Sequence, residues 1–291
     1  MKQENHQFQF EGAQYAEHLV QVDERVKLRV YSFLPAYESG NPNVIFVGGL
    51  STMMESFKSI VHELTRDFPF YYIETRDHSS SLVSGEVQFD IENCGMDIVR
   101  VIEAFGLEDA KYVLIGYSMG ATLIADCYRF LKAKPKQMIF LEPTPVFHYP
   151  KWSLILMRAS IGLKSRPLKP IAKWYIRNFL IDKKADPGMV IISEKALDNA
   201  DPEKLKKTIL AIVDYTAWDK LAAIDCPVLV LAASKDRFHV YNETMKMVSL
   251  LKNCHYIDLE TNDRSHSSEA AELIREFARY VPDSSVDIKP D

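Results

Sequence analysis

Three features of the 291-residue chain predict an α/β fold, a mostly parallel doubly wound sheet interrupted by a helical insertion. Short apolar runs alternate with helix-forming stretches, the pattern of parallel strands covered by helices on both faces. The alternation breaks once, from about Pro145 to Thr216, where helical periodicity is legible and strands are not. A serine stands between two glycines in Gly116-Tyr117-Ser118-Met119-Gly120, directly after the apolar run Tyr112-Val113-Leu114-Ile115 and before helix-forming Ala121 to Asp126.

Taken in order, His18 to Val22 and Val26 to Tyr31 alternate like strands around the polar turn Asp23-Glu24-Arg25, which predicts an antiparallel hairpin at a sheet edge. Val44-Ile45-Phe46-Val47 is a continuous apolar run, suited to a strand buried on both faces. Further strands are expected at Phe70 to Ile73, Tyr112 to Ile115 and Met138 to Leu141, then at Val228 to Leu231 and Tyr256 to Leu259. Helices are expected through Phe57 to Leu64, Ile91 to Phe105, from the glycine-flanked serine to about Lys132, near Glu243 to Leu251, and from Glu269 to Tyr280. The domain reading is a core of residues 1–145 and 216–281, a helical cap of 146–215, and a loose polar tail of 282–291.

Composition excludes several classes. A net charge of −5 argues against nucleic acid as the main partner. No apolar stretch approaches the length of a membrane span, and Met1 to Gln7 lacks the apolar run of a signal peptide, so a cytoplasmic protein is expected. Cys94, Cys127, Cys226 and Cys254 are widely spaced, without metal-ligand or Cys-x-x-Cys patterns, and read as small buried residues. No metal and no organic cofactor is indicated, and oligomeric state is not readable.

The glycine-flanked serine carries the chemistry. At a strand-to-helix corner the strand and helix approach so closely that a side chain at Gly116 or Gly120 would clash. The Ser118 hydroxyl then stands at the tip, and the Met119 amide opens a helix, aimed at developing negative charge. Such a nucleophile needs a base, an orienting carboxylate and a second oxyanion donor. Asp236, five residues past Leu231, is the candidate acid, and Glu142, past the preceding strand, is the alternative. The base should follow the last strand, where His266 is the one of eight histidines in that slot. The second donor falls in Gly48-Gly49-Leu50-Ser51, whose glycines permit close backbone approach, at the Leu50 amide.

Together these residues resemble the α/β-hydrolase superfamily over nearly the whole chain, from about Val20 to Tyr280. Glu74-Thr75-Arg76-Asp77-His78-Ser79-Ser80-Ser81 is similar to that family's Asp-x-Arg-Gly-His-Gly-x-Ser loop, departing at Glu74, Asp77 and Ser79. Gly48 stands where the family's oxyanion turn usually carries histidine. The resemblance implies the α/β-hydrolase fold with a helical cap, and Ser118, Asp236 and His266 as a triad. It implies a serine hydrolase that cleaves an ester-type bond through an acyl-enzyme. A thioesterase, a carbon–carbon bond hydrolase or a perhydrolase would use the same residues, and a non-catalytic binding protein on this fold is the remaining alternative.

The insertion is the second informative stretch. Between Pro150 and Lys184 it holds nine cationic residues, Lys164 and Arg166 among them, against one acid, Asp182. Apolar residues, Leu168 among them, are interleaved, and Trp152, Trp174 and Tyr175 are the candidate pocket residues. One reading is a roof whose apolar side faces the pocket while Lys and Arg face water. The other is peripheral contact with an anionic membrane, or guidance of an acidic or acyl-carrying substrate. Either favours a small-molecule substrate with a hydrophobic acyl or alkyl portion.

Overall fold

Apolar runs with no polar interruption can be buried on both faces, and here they form the middle of one sheet. In the computed structural model, which describes residues 13–108, 111–162, 169–236 and 239–279, that sheet has nine strands. They are β1 (Ala13–Asp23), β2 (Val26–Pro35), β3 (Asn43–Val47), β4 (Phe70–Ile73), β5 (Leu82–Val83), β6 (Tyr112–Tyr117), β7 (Gln137–Leu141), β8 (Val228–Ala232) and β9 (Cys254–Asp258). Their order is β1-β2-β4-β3-β6-β7-β8-β9, with β5 paired to β2. The β1–β2 hairpin is antiparallel and meets β4 antiparallel; from β4 to β9 every pairing is parallel. The tail 282–291 and the insertion residues Lys164, Arg166 and Leu168 lie outside the described residues.

Alternation along each strand divides the core in two. Ile45, Val47 and Leu114 join the cluster that packs under α2 (Ile91–Ala104) and α3 (Met119–Cys127). Val44, Phe46, Val113 and Ile115 point the other way, toward α1 (Lys58–Leu64) and α11 (Ser268–Arg279). Asp90 caps α2 by accepting from the Asn93 amide. Every residue of α3 is buried, so the helix that follows Ser118 is held by packing along its full length.

Between β7 and β8 the described residues form helices: α4 (Lys151–Ala159), α5 (Lys169–Tyr175), which runs on into a π turn (Ile176–Leu180), α6 (Pro187–Asn199), α7 (Pro202–Ile212) and α8 (Trp218–Leu221). An antiparallel bridge between Val146 and Thr216 brings the two ends of this stretch together, and a second joins His78 to Ala200. Asp201 and Pro202 start α7, the carboxylate accepting from the Glu203 and Lys204 amides. The chain closes with α9 (Tyr241–Leu250), the short α10 (Asn262–Ser265) and α11.

Local differences from the sequence reading have simple causes. β5 is two residues long and exists only by pairing with Val26 and Lys27 of β2, too short to leave a periodic signal. The helix after Ser118 ends at Cys127 and tightens into a 3₁₀ turn at Tyr128–Phe130, short of Lys132. Cys94, Cys127 and Cys226 are buried, whereas Cys254, on the edge strand β9, is only half-buried. No described helix is long and apolar enough to cross a membrane.

Candidate active site

Six parallel strands end at one edge of the sheet, and the loops that leave them hold the chemistry. Ligand groups gather there because strand ends in an open α/β sheet border a crevice. β6 delivers Ser118 at φ 50° and ψ −115°, a backbone conformation that costs a non-glycine residue energy and is sustained only by its surroundings. Those surroundings are tight. A Cβ at Gly116 would lie 2.5 Å from the Ala121 Cα, and one at Gly120 would meet the Gly48 carbonyl at 2.7 Å and the Val47 carbonyl closer still. Both glycines are therefore required by the close passage of strand and helix.

The Ser118 hydroxyl lies 3.1 Å from Nε2 of His239, and Nδ1 of the same ring lies 2.5 Å from Oδ2 of Asp236. A second hydroxyl, Thr144, is 3.0 Å from Ser118 Oγ, and its carbonyl accepts from the Thr122 hydroxyl at 2.5 Å. Asp236 Oδ2 also accepts from the Asn262 side-chain amide at 2.7 Å. Glu142 is fully buried at φ 45°, with Oε2 3.8 Å from His239 Nδ1. Its carboxylate accepts from the Ala233 amide at 3.1 Å and from the Ser265 hydroxyl, so it braces the β8 loop and stands behind Asp236.

The structure does not bring the expected base to Ser118. His266 does occupy the loop after β9, but its Nδ1 donates to the Ser56 carbonyl at 2.9 Å, and its Nε2 has no hydrogen-bond partner among the described residues. Its ring stacks on Phe57 with centroids 4.8 Å apart and meets Tyr117 edge-on at 5.3 Å. The physical reason is local. The β8 loop carries its own imidazole three residues after Asp236, which fills the position between carboxylate and hydroxyl, while the Ser56 carbonyl holds the other ring. The signal for His239 was present in the sequence as Asp236-x-x-His239 on one loop.

Electrostatics separate the two rings. Burial pulls the His239 pKa down, but the charge and hydrogen bond of Asp236, with Glu142 behind, outweigh it and hold the ring above its ordinary 6.5. Burial drives His266 down to about 4, only partly opposed by the Ser56 carbonyl and the charge of Asp263. Burial also pushes Glu142 up to about 7, only partly opposed by His239. Ligand atoms of Glu142, Asp236 and His239 lie within 4.8 Å of one another, a spacing that could hold a metal ion. Both His239 nitrogens already have a hydrogen-bond partner, however, and the set reads more directly as an imidazole between a carboxylate and a hydroxyl.

Across the crevice, the Gly48–Ser51 turn follows β3. Met119 is the first residue of α3, so its amide has no intrahelical acceptor, and Leu50 lines the same cavity. Two of the departures from the family pattern support this turn. Asp77, where glycine is usual, is buried and accepts from the Ser51 amide at 2.6 Å and the Ser51 hydroxyl at 2.9 Å, holding Ser51 at φ 51°. A side chain at Gly48 would meet the Tyr72 hydroxyl at 2.6 Å, and that hydroxyl instead donates to the Thr52 carbonyl at 3.0 Å.

A cavity of about 470 Å³ opens above Ser118, walled by Leu50, Met119, Thr144 and His239 below and by α4 to α7 above. Trp152 and Tyr175 line it. Trp174, expected beside them, does not: it is 59 % exposed and packs on Phe179, because its place on α5 faces away from the cavity.

No family model matches the sequence, and no curated protein does. Solved structures do match. An esterase from Thermogutta terrifontis superposes with TM-score 0.75 at 19 % identity, over 92 % of this chain and 99 % of that one. An esterase from Exiguobacterium antarcticum gives 0.74 at 16 % identity, over 91 % and 100 %. The enol-lactonase from Burkholderia xenovorans gives 0.71 at 14 %, over 86 % and 96 %. This chain has the α/β-hydrolase fold. At such identities the likeness concerns the fold and leaves the reaction to the site's own geometry.

Proposed function

We propose that this protein is a serine hydrolase that cleaves an ester-type bond of a small substrate with a hydrophobic acyl or alkyl portion. One observation carries the reading: the Ser118 hydroxyl, the His239 imidazole and the Asp236 carboxylate stand in hydrogen-bonded sequence at the floor of a largely apolar cavity.

In this reading His239 Nε2 takes the Ser118 proton as Oγ attacks the substrate carbonyl. Asp236 accepts from Nδ1–H, which fixes the tautomer and stabilises the imidazolium. The Leu50 and Met119 amides hold the oxyanion, and the Asp77 clamp on Ser51 keeps the Leu50 turn in shape. The imidazolium then protonates the leaving alcohol, and His239 activates a water that releases the acid from Ser118. Thr144 can donate to Ser118 Oγ while the hydroxyl proton points at His239. Apolar residues of the roof, Leu156, Met157 and Ile176 among them, give the hydrophobic portion its place.

The test is labelling by a fluorophosphonate probe. Labelling of the wild-type protein that disappears in Ser118→Ala supports an activated serine, and a p-nitrophenyl ester series of graded chain length then reads the size of the acyl site. An unlabelled wild-type protein would remove the proposal.

A further inference from the structure

Large apolar side chains are left in the open on the roof of the cavity. No residue of α4, of α5 or of the π turn is buried. Ile155 is 66 % exposed, Phe179 54 % and Trp152 51 %, comparable to Trp174. The aromatic rings among them are contiguous: Trp152 lies 5.8 Å from Tyr175, Tyr175 5.2 Å from Phe179, and Phe179 5.4 Å from Trp174. An aromatic ridge thus crosses three helical segments, and its inner members, Trp152 and Tyr175, line the cavity. Contiguous exposed apolar surface of this kind marks an interaction site.

Charge indicates what covers it. Between Lys151 and Lys184 the described residues carry seven cations against Asp182 alone, in a chain whose net charge is −5. Lys173 and Arg177 are neutralised by Asp198 and Glu194 of α6. Lys151, Arg158 and Lys184 have no ion-pair partner among the described residues. On α4, Lys151, Ile155 and Arg158 follow at helical spacing, so cation and exposed apolar residue share one stripe. Amphipathic rings flanked by unpaired cations suit the boundary between lipid headgroups and acyl chains. A second copy of the chain would bring like charges together on the same face.

We infer that this face of the insertion docks on an anionic lipid bilayer, with the aromatic ridge at the headgroup boundary and the unpaired cations against lipid phosphates. The cavity rim then sits at the membrane, where a lipid-soluble substrate can pass to Ser118. That last consequence rests on the proposed hydrolase reading; the docking does not.

The experiment is co-sedimentation of the Ser118→Ala protein with vesicles of phosphatidylcholine alone or of phosphatidylcholine and phosphatidylglycerol in equal parts. It reads binding without catalysis, so its failure and the failure of fluorophosphonate labelling are separate results. Binding is expected to the anionic vesicles only, and to be lost as NaCl rises from about 0.1 M toward 1 M, where the screening length falls from about 10 Å to about 3 Å. The exposed-ring variant Trp174→Ser with Phe179→Ser is expected to bind at least about tenfold more weakly, with circular dichroism and melting unchanged. Absence of binding to anionic vesicles, or equal binding by the folded double variant, overturns the inference. So does a concentration-dependent dimer of the parent that the double variant lacks, which would place a second copy on this face.

Discussion

Two loops at the carboxyl edge of the sheet each carry a histidine, buried at His239 and half-buried at His266, and the rings have opposite characters. After β8, His239 lies between Asp236 and Ser118, and its carboxylate neighbours hold its pKa above the ordinary value. After β9, His266 lies between the Ser56 carbonyl and the Phe57 ring, and burial lowers its pKa to about 4. The loop after β9 is where topology places the base in this fold, yet the loop after β8 makes the contacts. The lesson is that a topological slot predicts a neighbourhood, while the partners within bonding distance define a role.

Four substitutions would break or sharpen this contrast. Ser118→Ala and His239→Gln should each lower kcat by about 10⁶-fold, and the double variant no further, because nucleophile and base act as one unit. Rates on the best p-nitrophenyl ester read this directly; additive losses would separate the two residues. Asp236→Asn should cost about 10⁴-fold, as loss of the orienting carboxylate does in serine-protease triads. It should also move the acidic limb of the pH–rate profile. The neutral ring is the base, so activity rises with pH through the His239 pKa, with a midpoint above 6.5. Without Asp236 that midpoint falls to lower pH, and a limb that stays in place would show that another group titrates there.

The smallest kinetic effect is expected for His266→Gln, less than about tenfold in kcat/KM. Its signature lies in stability instead. The folded pKa of about 4 is below the ordinary 6.5, so the unfolded chain binds the extra proton first as pH falls. The neutral ring's contribution is complete above pH 6.5 and is lost toward pH 4. Melting temperatures of the wild type should fall across that window more steeply than those of His266→Gln; parallel curves would contradict the assignment.

Much of this was legible in the sequence. The central strands are short uninterrupted apolar runs, which suit strands buried on both faces. Ser118 was legible because the elbow needs glycine on both sides for steric reasons that hold in the folded chain. Asp236 was placed by its distance past β8. His239 was not found because slot reasoning looked past β9, although its spacing from Asp236 was visible. Thr144 left no signal: its contact with Ser118 arises only when the β7 loop turns back over α3. Trp174 was read from composition, and composition does not say which side of a short helix faces a cavity.

The central claim is that His239, and not His266, activates Ser118, and the rate of fluorophosphonate labelling in His239→Gln and His266→Gln tests it most directly. Near-wild-type labelling of His266→Gln with loss of labelling in His239→Gln is the expected result. Loss in His266→Gln with labelling retained in His239→Gln would contradict it and return the base to the loop after β9.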